Sequence, residues 1–473
     1  MRGAVAAGHP LTAEAGARVL RDGGNAVDAC VGAALVSWVC ESPLTGPGGG
    51  GFMLVHDVAA AATRLYDFFV AVPRRAVGAG ELLELEVDFD GDTRQVFHTG
   101  AAAVAVPGTA LGLWEVHRRF GSLPWAELAA PAVRLAREGF ELTPSAGYLH
   151  RILDGLLRHS PEGDALYGPG RPVGAGERFA LPELAATLEE IAAEGAAALY
   201  RGALAERIVA HVQAGGGALT LADLAAYRVI RRRPLAVPFR GHELRTNPPP
   251  SSGGVLVGIG LRALGDEAPT PLAIAASMEA QAAARRPGLF RNARKLLSGT
   301  THISVVDARG DAASLSASLG SGSGVVVPGT GIHLNNMLGE ADLIERAKPG
   351  ERLTSMMAPS LVLEDGRPRL VVGSAGSARL RGAILQVVAN VVGAGMGVAE
   401  AVDAPRVHVE DGVAHCEDAA AADALAAAGY PVVRFRRRNL YFGGVSAVEV
   451  RGDGSLAAAG DPRRGGIGVV VEA

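Results

Sequence analysis

Cysteine is scarce in this chain: three residues in 473, at positions 30, 40 and 416, with no CxxC pair among them. That scarcity excludes a disulfide framework and the paired-thiolate zinc and redox motifs. Cys30 and Cys40 lie in an apolar stretch, where buried, inert thiols are expected. Positive charge is not in excess either. The net charge is −4, so there is no basic field to hold nucleic acid, and the runs Arg231–Arg233 and Arg436–Arg438 read as solvated faces. No apolar run reaches the length of a membrane span. ACVGAALVSWVC (29–40) is too short, and AILQVVANVVGAGMGVA (383–399), interrupted by Gln386, Asn390 and glycines, reads as a core helix. The opening MRGAVAAGHP has no h-region of a signal peptide, which gives a cytoplasmic location as the expectation. Aromatics make up only 5% of residues while Ala and Gly abound, which predicts closely packed elements joined by many turns.

Several catalytic signatures are also missing. There is no Walker sequence, no G-x-S-x-G elbow and no H-x-x-x-H pair among the twelve histidines, so neither a nucleotide nor a metal is implied. GPGGGG (46–51) spells G-x-G-x-x-G, but a helical pattern precedes it and a strand pattern, FMLVHD, follows. Dinucleotide binding needs the reverse order, so these glycines read as a turn where backbones approach closely.

What is present is a chain whose pattern changes along its length. Residues 11–40 read as two helices broken near DGGN, the first opened by Thr12 as a cap. Further helices are predicted within 106–121 and 123–140, over 182–213 and at 221–227, and NPPPSSGG (247–254) is a loop. From Thr301 the signal becomes that of strands. Thr301–Val306 is a strand, DARGD a turn, and AASLSASL alternates, with Ser314, Ser316 and Ser318 on one face. GSGSG (320–324) reads as a flexible bend, and SLVLEDGRPRLVVGSAGSAR (360–379) as a second hairpin ending in a small-residue turn. The pattern predicts a layered protein of helices and mostly antiparallel sheets, with no linker dividing it.

The one stretch with chemistry in it is SGTTHISVVD (298–307). A Thr hydroxyl is a weak nucleophile without an adjacent base, and a free α-amine, with a pKa near 8, is such a base. For an internal Thr300 that requires cleavage of the Gly299–Thr300 bond. Local pattern alone also allows Thr300 to be an ordinary strand-edge residue.

The longer matches decide between these. GGNAVDA (23–29), GGGGFML (48–54), PPPSSGG (248–254), TTHISVVDARG (300–310), GSGVVVPGTGIHLNN (322–336), TSMMAPSLVL (354–363), GSAGSAR (373–379), AVDAPRVH (401–408) and DPRRGG follow one another in a specific order. In these the chain resembles the γ-glutamyltransferase (γ-glutamyltranspeptidase, glutathione hydrolase) family of N-terminal nucleophile hydrolases, nearly end to end. The resemblance implies an α+β fold, a four-layer αββα sandwich. It also implies self-cleavage into a large portion, 1–299, and a small portion, 300–473, intertwined as one domain. Thr300 is then the nucleophile, and Thr301 the second Thr of the motif. Ser318 stands where a Thr contacts the nucleophile's amine, and Gly376 and Ser377 match the oxyanion pair. Thr354 and Ser355 match two serines near the substrate carboxylate. No cofactor or metal is implied, and family members are often secreted. The partners implied are a small-molecule amide substrate and a water or amino-acid acceptor, with the oligomeric state left open.

The departures are as informative. The family's D-x-R-E-x-x-P, whose Arg clamps the α-carboxylate of the glutamyl group, reads DFFVAVP (67–73), with Phe69 at the Arg position. A Gln and an Asp that hold the glutamyl end become Met337 and Glu340, and an Asn is lost to a deletion near Gly320. An Arg–carboxylate pair contributes roughly 1.5–3 kcal/mol, so its loss turns the expected acyl group away from a zwitterion. Arg74, Arg75 and Arg352 are candidates for a displaced clamp. The expected function is a self-processing threonine amidohydrolase or acyltransferase. Its alternatives are an acylase for a non-glutamyl group and a non-catalytic relative that binds or scaffolds.

Overall fold

The computed structural model describes residues 2–74, 82–88, 94–284, 299–339, 348–376 and 379–472. Two antiparallel sheets lie at its centre. The first is built from strands β1 (Gly3–Ala7), β2 (Gly50–Asp57), β3 (Ala62–Phe68), β4 (Ile230–Arg232), β7 (Gly299–Asp307), β8 (Ala312–Gly320) and β13 (Ile467–Val471). Their order across the sheet is β13-β1-β7-β8-β2-β3-β4. The second contains β5 (Leu235–Phe239), β6 (His242–Thr246), β9 (Ser360–Glu364), β10 (Arg367–Ala375), β11 (Gly444–Val450) and β12 (Leu456–Gly460), in the order β12-β11-β10-β9-β6-β5. Strands from before and after the Gly299–Thr300 bond therefore share both sheets, and in the first they interleave, with β1 set between β13 and β7.

Period-2 alternation sets the layers. On β7 and β8, Ile303, Val305, Ala313, Leu315 and Ala317 pack with the helices α1 (Pro10–Arg21) and α2 (Ala26–Cys40). Val306 and Ala312 face the other way and join a second core with Val371, Val372, Val445 and Ala447 of the facing sheet. Helices Gly253–Leu264, Pro271–Ala284 and Leu380–Val388 cover that sheet from outside. The result is helix, sheet, sheet, helix, the αββα sandwich of the α+β class.

The expected helices at 11–40 form, with one correction. The first is capped by His9, whose ring nitrogen accepts from the N–H of Leu11, and Pro10 supplies the fixed φ of a first helical turn. Thr12 is instead buried, with its hydroxyl turned to Glu41. The second helix, α2, is opened by a reciprocal cap between Asn25 and Asp28. The expected core helix at 383–399 ends early: regular turns stop at Val388, a wider turn spans Ala389–Gly393, and a separate helix begins at Val398. Gly393, Gly395 and Gly397 account for the break. GSGSG is not a loose bend, because Ser321 and Ser323 are buried and tied to Asn336 and Leu334.

The glycines at 46–51 serve close packing, as expected. A Cβ at Gly49 would lie 2.4 Å from the carbonyl of Ser318, and one at Gly51 2.5 Å from that of Ser316. Among the described residues no helix is long and apolar enough to cross a membrane.

Candidate active site

β1 stops at Ala7, paired with Ile303, while β7 runs on past it to Gly299. The space left beside residues 299–302 is a small cavity of about 30 Å³. Thr300, Thr301 and His302 form one wall, Gly8, His9, Glu41 and Leu44 another, and Ala375, Gly444, Ser446, Asp461 and Arg464 close it from the facing sheet.

Thr300 opens β7, almost fully buried, directly opposite Ser318 on β8. The pairing slips between Gly299 and Thr300, so the backbone kinks at that bond. Thr300 Oγ1 donates to Ser318 Oγ at 3.4 Å, at the long end for such a bond. Ser318 in turn donates a short hydrogen bond to the carbonyl oxygen of Gly299 and accepts one from Gly320 N–H at 2.9 Å. Thr hydroxyl, Ser hydroxyl and the Gly299 carbonyl thus form one chain of donors that ends on the bond expected to break. Such a bond withdraws charge from a carbonyl and readies it for attack.

Thr301 turns to the opposite face of the sheet, as strand geometry requires. Its hydroxyl donates to Glu41 Oε2 at 2.7 Å, and Thr12 donates to Oε1 at 2.7 Å. Burial pushes the Glu41 carboxyl above its ordinary value, partly offset by these two bonds and by the Arg464 charge. Glu41 is also the residue that ends α2, where the helix dipole disfavours negative charge. The Arg464 guanidinium is lowered to about 10 by burial, and its Nε is buried with no hydrogen-bond partner among the described residues. Asp461 differs from Glu41: burial raises it, but Arg406 at 2.6 Å and Arg463 at 3.2 Å outweigh burial and hold it below the carboxylate range.

A buried polar network lies between the sheets behind Thr300. His302 shares its ring nitrogens with Ser316 (2.8 Å) and Ser304 (3.0 Å), and Ser304 donates to the carbonyl of Ser446. Burial pushes His302 down to about 3, so the ring is neutral. Ser314, Ser316 and Ser318, read from sequence as one face, do share this face.

The residues expected to hold substrate form a second group. Phe69 is buried and stacks on Phe52, ring centres 5.4 Å apart. Its carbonyl accepts from Tyr227 at 2.6 Å and from Arg352. The segment 351–353 lies alongside, with Leu353 N–H donating to Val70, which places Thr354 and Ser355 next to that seam. Thr354 is half-buried, while Ser355 is buried with its hydroxyl accepting from Met357 N–H at 3.0 Å. Met337 is buried in the same apolar core as Phe69. Among the described residues lining the cavity, Phe69, Met337, Thr354 and Ser355 do not appear.

Arg352 does not stand free as a replacement clamp. It is spent on Asp67 at 3.5 Å, on the carbonyls of Phe69 and Arg228, and over the Tyr227 ring at 4.4 Å. Arg74 is exposed. Gly376 follows β10 with φ +122°, and a Cβ there would lie 2.7 Å from the Cα of Gly443, so only glycine fits. Ser377, Glu340 and Arg75 lie outside the described residues. Sequence reasoning missed Glu41, Arg464 and Asp461. The signal for Glu41 was an acid set directly after an unbroken apolar helix, the stretch ACVGAALVSWVC-E.

The gamma-glutamyltranspeptidase family model matches residues 12–285 and 270–471. Acylase ACY 1 proenzyme of Pseudomonas sp. strain SE83 is 34% identical over 528 aligned positions, covering 99% of this chain and 94% of the relative. Glutathione hydrolase proenzyme of Pseudomonas aeruginosa is 33% identical, covering 99% and 95%. Among solved structures, cephalosporin acylase from Bacillus halodurans superimposes with a TM-score of 0.85 at 26% identity, over 100% of this chain and 96% of the other.

Proposed function

Because the chain belongs to the gamma-glutamyltranspeptidase family, we propose that it is a self-processing threonine amidohydrolase with Thr300 as its nucleophile. The observation that carries this is the run of hydrogen bonds from Thr300 through Ser318 to the Gly299 carbonyl. Thr300 Oγ attacks that carbonyl, the peptide link shifts to an ester on Oγ, and water frees the 300–473 portion. Thr300 then carries its own α-amine, which has the basicity to take and return a proton near neutral pH. In turnover the same Oγ attacks a substrate amide, an acyl-enzyme forms, and water or an amine accepts the acyl group. Backbone N–H groups of the Gly376–Ser377 turn serve the oxyanion in this reading. Its support is that Ala375, the preceding residue, lines the same cavity as Thr300 from the facing sheet. The relatives named proenzymes are consistent with such processing. Denaturing electrophoresis with mass mapping of the new N-terminus tests it. Wild type is expected as two fragments beginning at residues 1 and 300, and Thr300→Ala as one inactive chain. An intact wild-type chain active on amides contradicts the mechanism.

For the acyl group, the buried Phe69–Phe52 stack favours the acylase reading over γ-glutamyl transfer. With no cation at that position and Arg352 already paired, an α-carboxylate loses a partner that contributes roughly 1.5–3 kcal/mol, or about tenfold or more in kcat/KM. A panel of anilides is expected to rank neutral or singly charged acyl groups above γ-glutamyl by that margin. A clear γ-glutamyl preference refutes the role given to Phe69.

A further inference from the structure

Self-cleavage, on which this inference rests, poses a problem that turnover does not. Until the Gly299–Thr300 bond breaks, the nitrogen of Thr300 is an amide and has no basicity to offer. Ser318 does not solve it, since its hydroxyl already gives its proton to the Gly299 carbonyl and is no more basic than Thr300 itself. The acceptor has to be found among the groups around the cavity. Asp461 is held by Arg406, Arg463 and the N–H of Val445. His302 is locked between two serine hydroxyls. His9 and His150 also line the space, and burial takes both down to about 4. Cys40, behind Glu41, is a thiol pushed upward by burial and by the carboxylate.

Glu41 remains. Each of its oxygens accepts one hydroxyl, from Thr12 and from Thr301, and although Thr301 leaves the sheet on the face opposite to Thr300, Glu41 and Thr300 both line the cavity beside the end of β1. The nearest charge of opposite sign on the cavity wall is Arg464, with its unpartnered Nε. The cavity volume of about 30 Å³ exceeds the ~10–15 Å³ that one water needs on this measure, and its wall supplies the polar partners such a water needs.

We propose that Glu41 is the base for self-cleavage, taking the Thr300 hydroxyl proton through one water seated in this cavity. The steps balance. The proton leaves Thr300 Oγ for Glu41, and Oγ bonds to the Gly299 carbonyl carbon. The C–N bond then breaks as Glu41 returns the proton to the departing nitrogen, which leaves an ester and a free amine. Hydrolysis of the ester consumes one water and gives a carboxyl on Gly299. The α-amine produced takes over as base in turnover, so Glu41 works on maturation and Thr300's own nitrogen on catalysis. The raised Glu41 carboxyl, closer to neutral pH than Asp461, is the better matched of the two acids.

The test follows cleavage of the full chain in a cell-free translation pulse–chase, read on gels from pH 5 to 8. The wild-type rate is expected to rise with pH as Glu41 ionises, at higher pH than for an ordinary glutamate. Glu41→Gln, which keeps the shape and an acceptor for Thr301, is expected to cleave about 100-fold more slowly or worse and to lose the pH dependence. Glu41→Asp should recover part of both. A Glu41→Gln chain that is slow but keeps the wild-type profile overturns the proposal in favour of a structural role. So does loss of the pH dependence in His9→Asn but not in Glu41→Gln. Wild-type and Glu41→Gln chains that cleave alike overturn the role of Glu41 alone, whereas a wild-type chain that never cleaves overturns the self-cleavage reading with it.

Discussion

Two neighbourhoods of the first sheet, separated by β8 and β2, have diverged in opposite directions. Around Thr300 the buried atoms are polar and joined: two threonines, a line of serines, Glu41 and His302. At the exit of β3, where the family pattern calls for an Arg, the side chain is Phe69, stacked on Phe52 inside an apolar core with Met337 and Leu353. A nucleophile needs its donors and acceptors within a few tenths of an ångström. A specificity pocket tolerates replacement as long as its volume stays filled. On the roles proposed for Thr300 and Phe69, the contrast makes the reaction and the choice of acyl group separable, because different strands carry them.

The largest effect that separates the two regions is on stability. Phe69→Ala removes a stacked, fully buried ring, and about 3–5 kcal/mol of unfolding free energy should go with it. Below the new melting point, cleavage at Gly299 should proceed at the wild-type rate. Urea unfolding of the Thr300→Ala chain with and without the change measures the first, and the gel assay the second. A cost under about 1 kcal/mol, or a slowed cleavage, means that the regions are coupled.

Ser318→Ala probes the other side. It deletes the hydroxyl on the Gly299 carbonyl, and loss of one such donor typically costs about 10²–10³ in rate. Cleavage should slow by that factor, with a stability cost of about 1–3 kcal/mol for the buried Gly320 N–H left without its acceptor, and Ser318→Thr, which restores the family's residue, should recover both. An unimpaired Ser318→Ala chain would show that this hydrogen bond is only structural.

How far the sequence revealed these regions depends on how local their cause is. The serine face follows from strand alternation alone, and the interleaved small residues at 46–51 announce a close backbone approach. The helix ends were less legible, because His9 and Asn25 compete with several other cap-forming residues nearby. Most obscure were contacts assembled across the whole chain. Glu41 meets Thr301 over 260 positions, and Arg352 reaches Phe69 over 283. No window of sequence contains both partners, so the sequence leaves Arg352 as a spare clamp while the fold ties it to Asp67 and Tyr227. The polar side chains of Arg406, Asp461 and Arg463 lie in two quoted motifs, AVDAPRVH and DPRRGG. Only the fold joins them into one buried ion-pair group beside the cavity.

Acid offers the gentlest way to sharpen the comparison. The Thr300 end contains His9, His150 and His302, pushed by burial down to about 4, 4 and 3. The named contacts of Phe69 include no imidazole. An unfolded His takes up a proton near pH 6.5, whereas these folded ones refuse it until much lower. Their contribution to stability is therefore intact above about pH 6.5 and is lost as pH falls toward 4 or 3. At pH 5 each costs about 2 kcal/mol, from 1.36 kcal/mol per unit. Glu41 acts with the opposite sign, since its raised carboxyl makes the folded state bind a proton first, but it is one group against three. Hydrogen exchange at pH 7 and pH 5, corrected for the intrinsic rate, should show protection falling first in peptides spanning 3–9 and 299–304. Peptides spanning 65–72 and 350–357 should lose it later. Protection lost first along the Phe69 seam would reverse the assignment, and would make the apolar neighbourhood, rather than the polar one, the acid-sensitive part of the molecule.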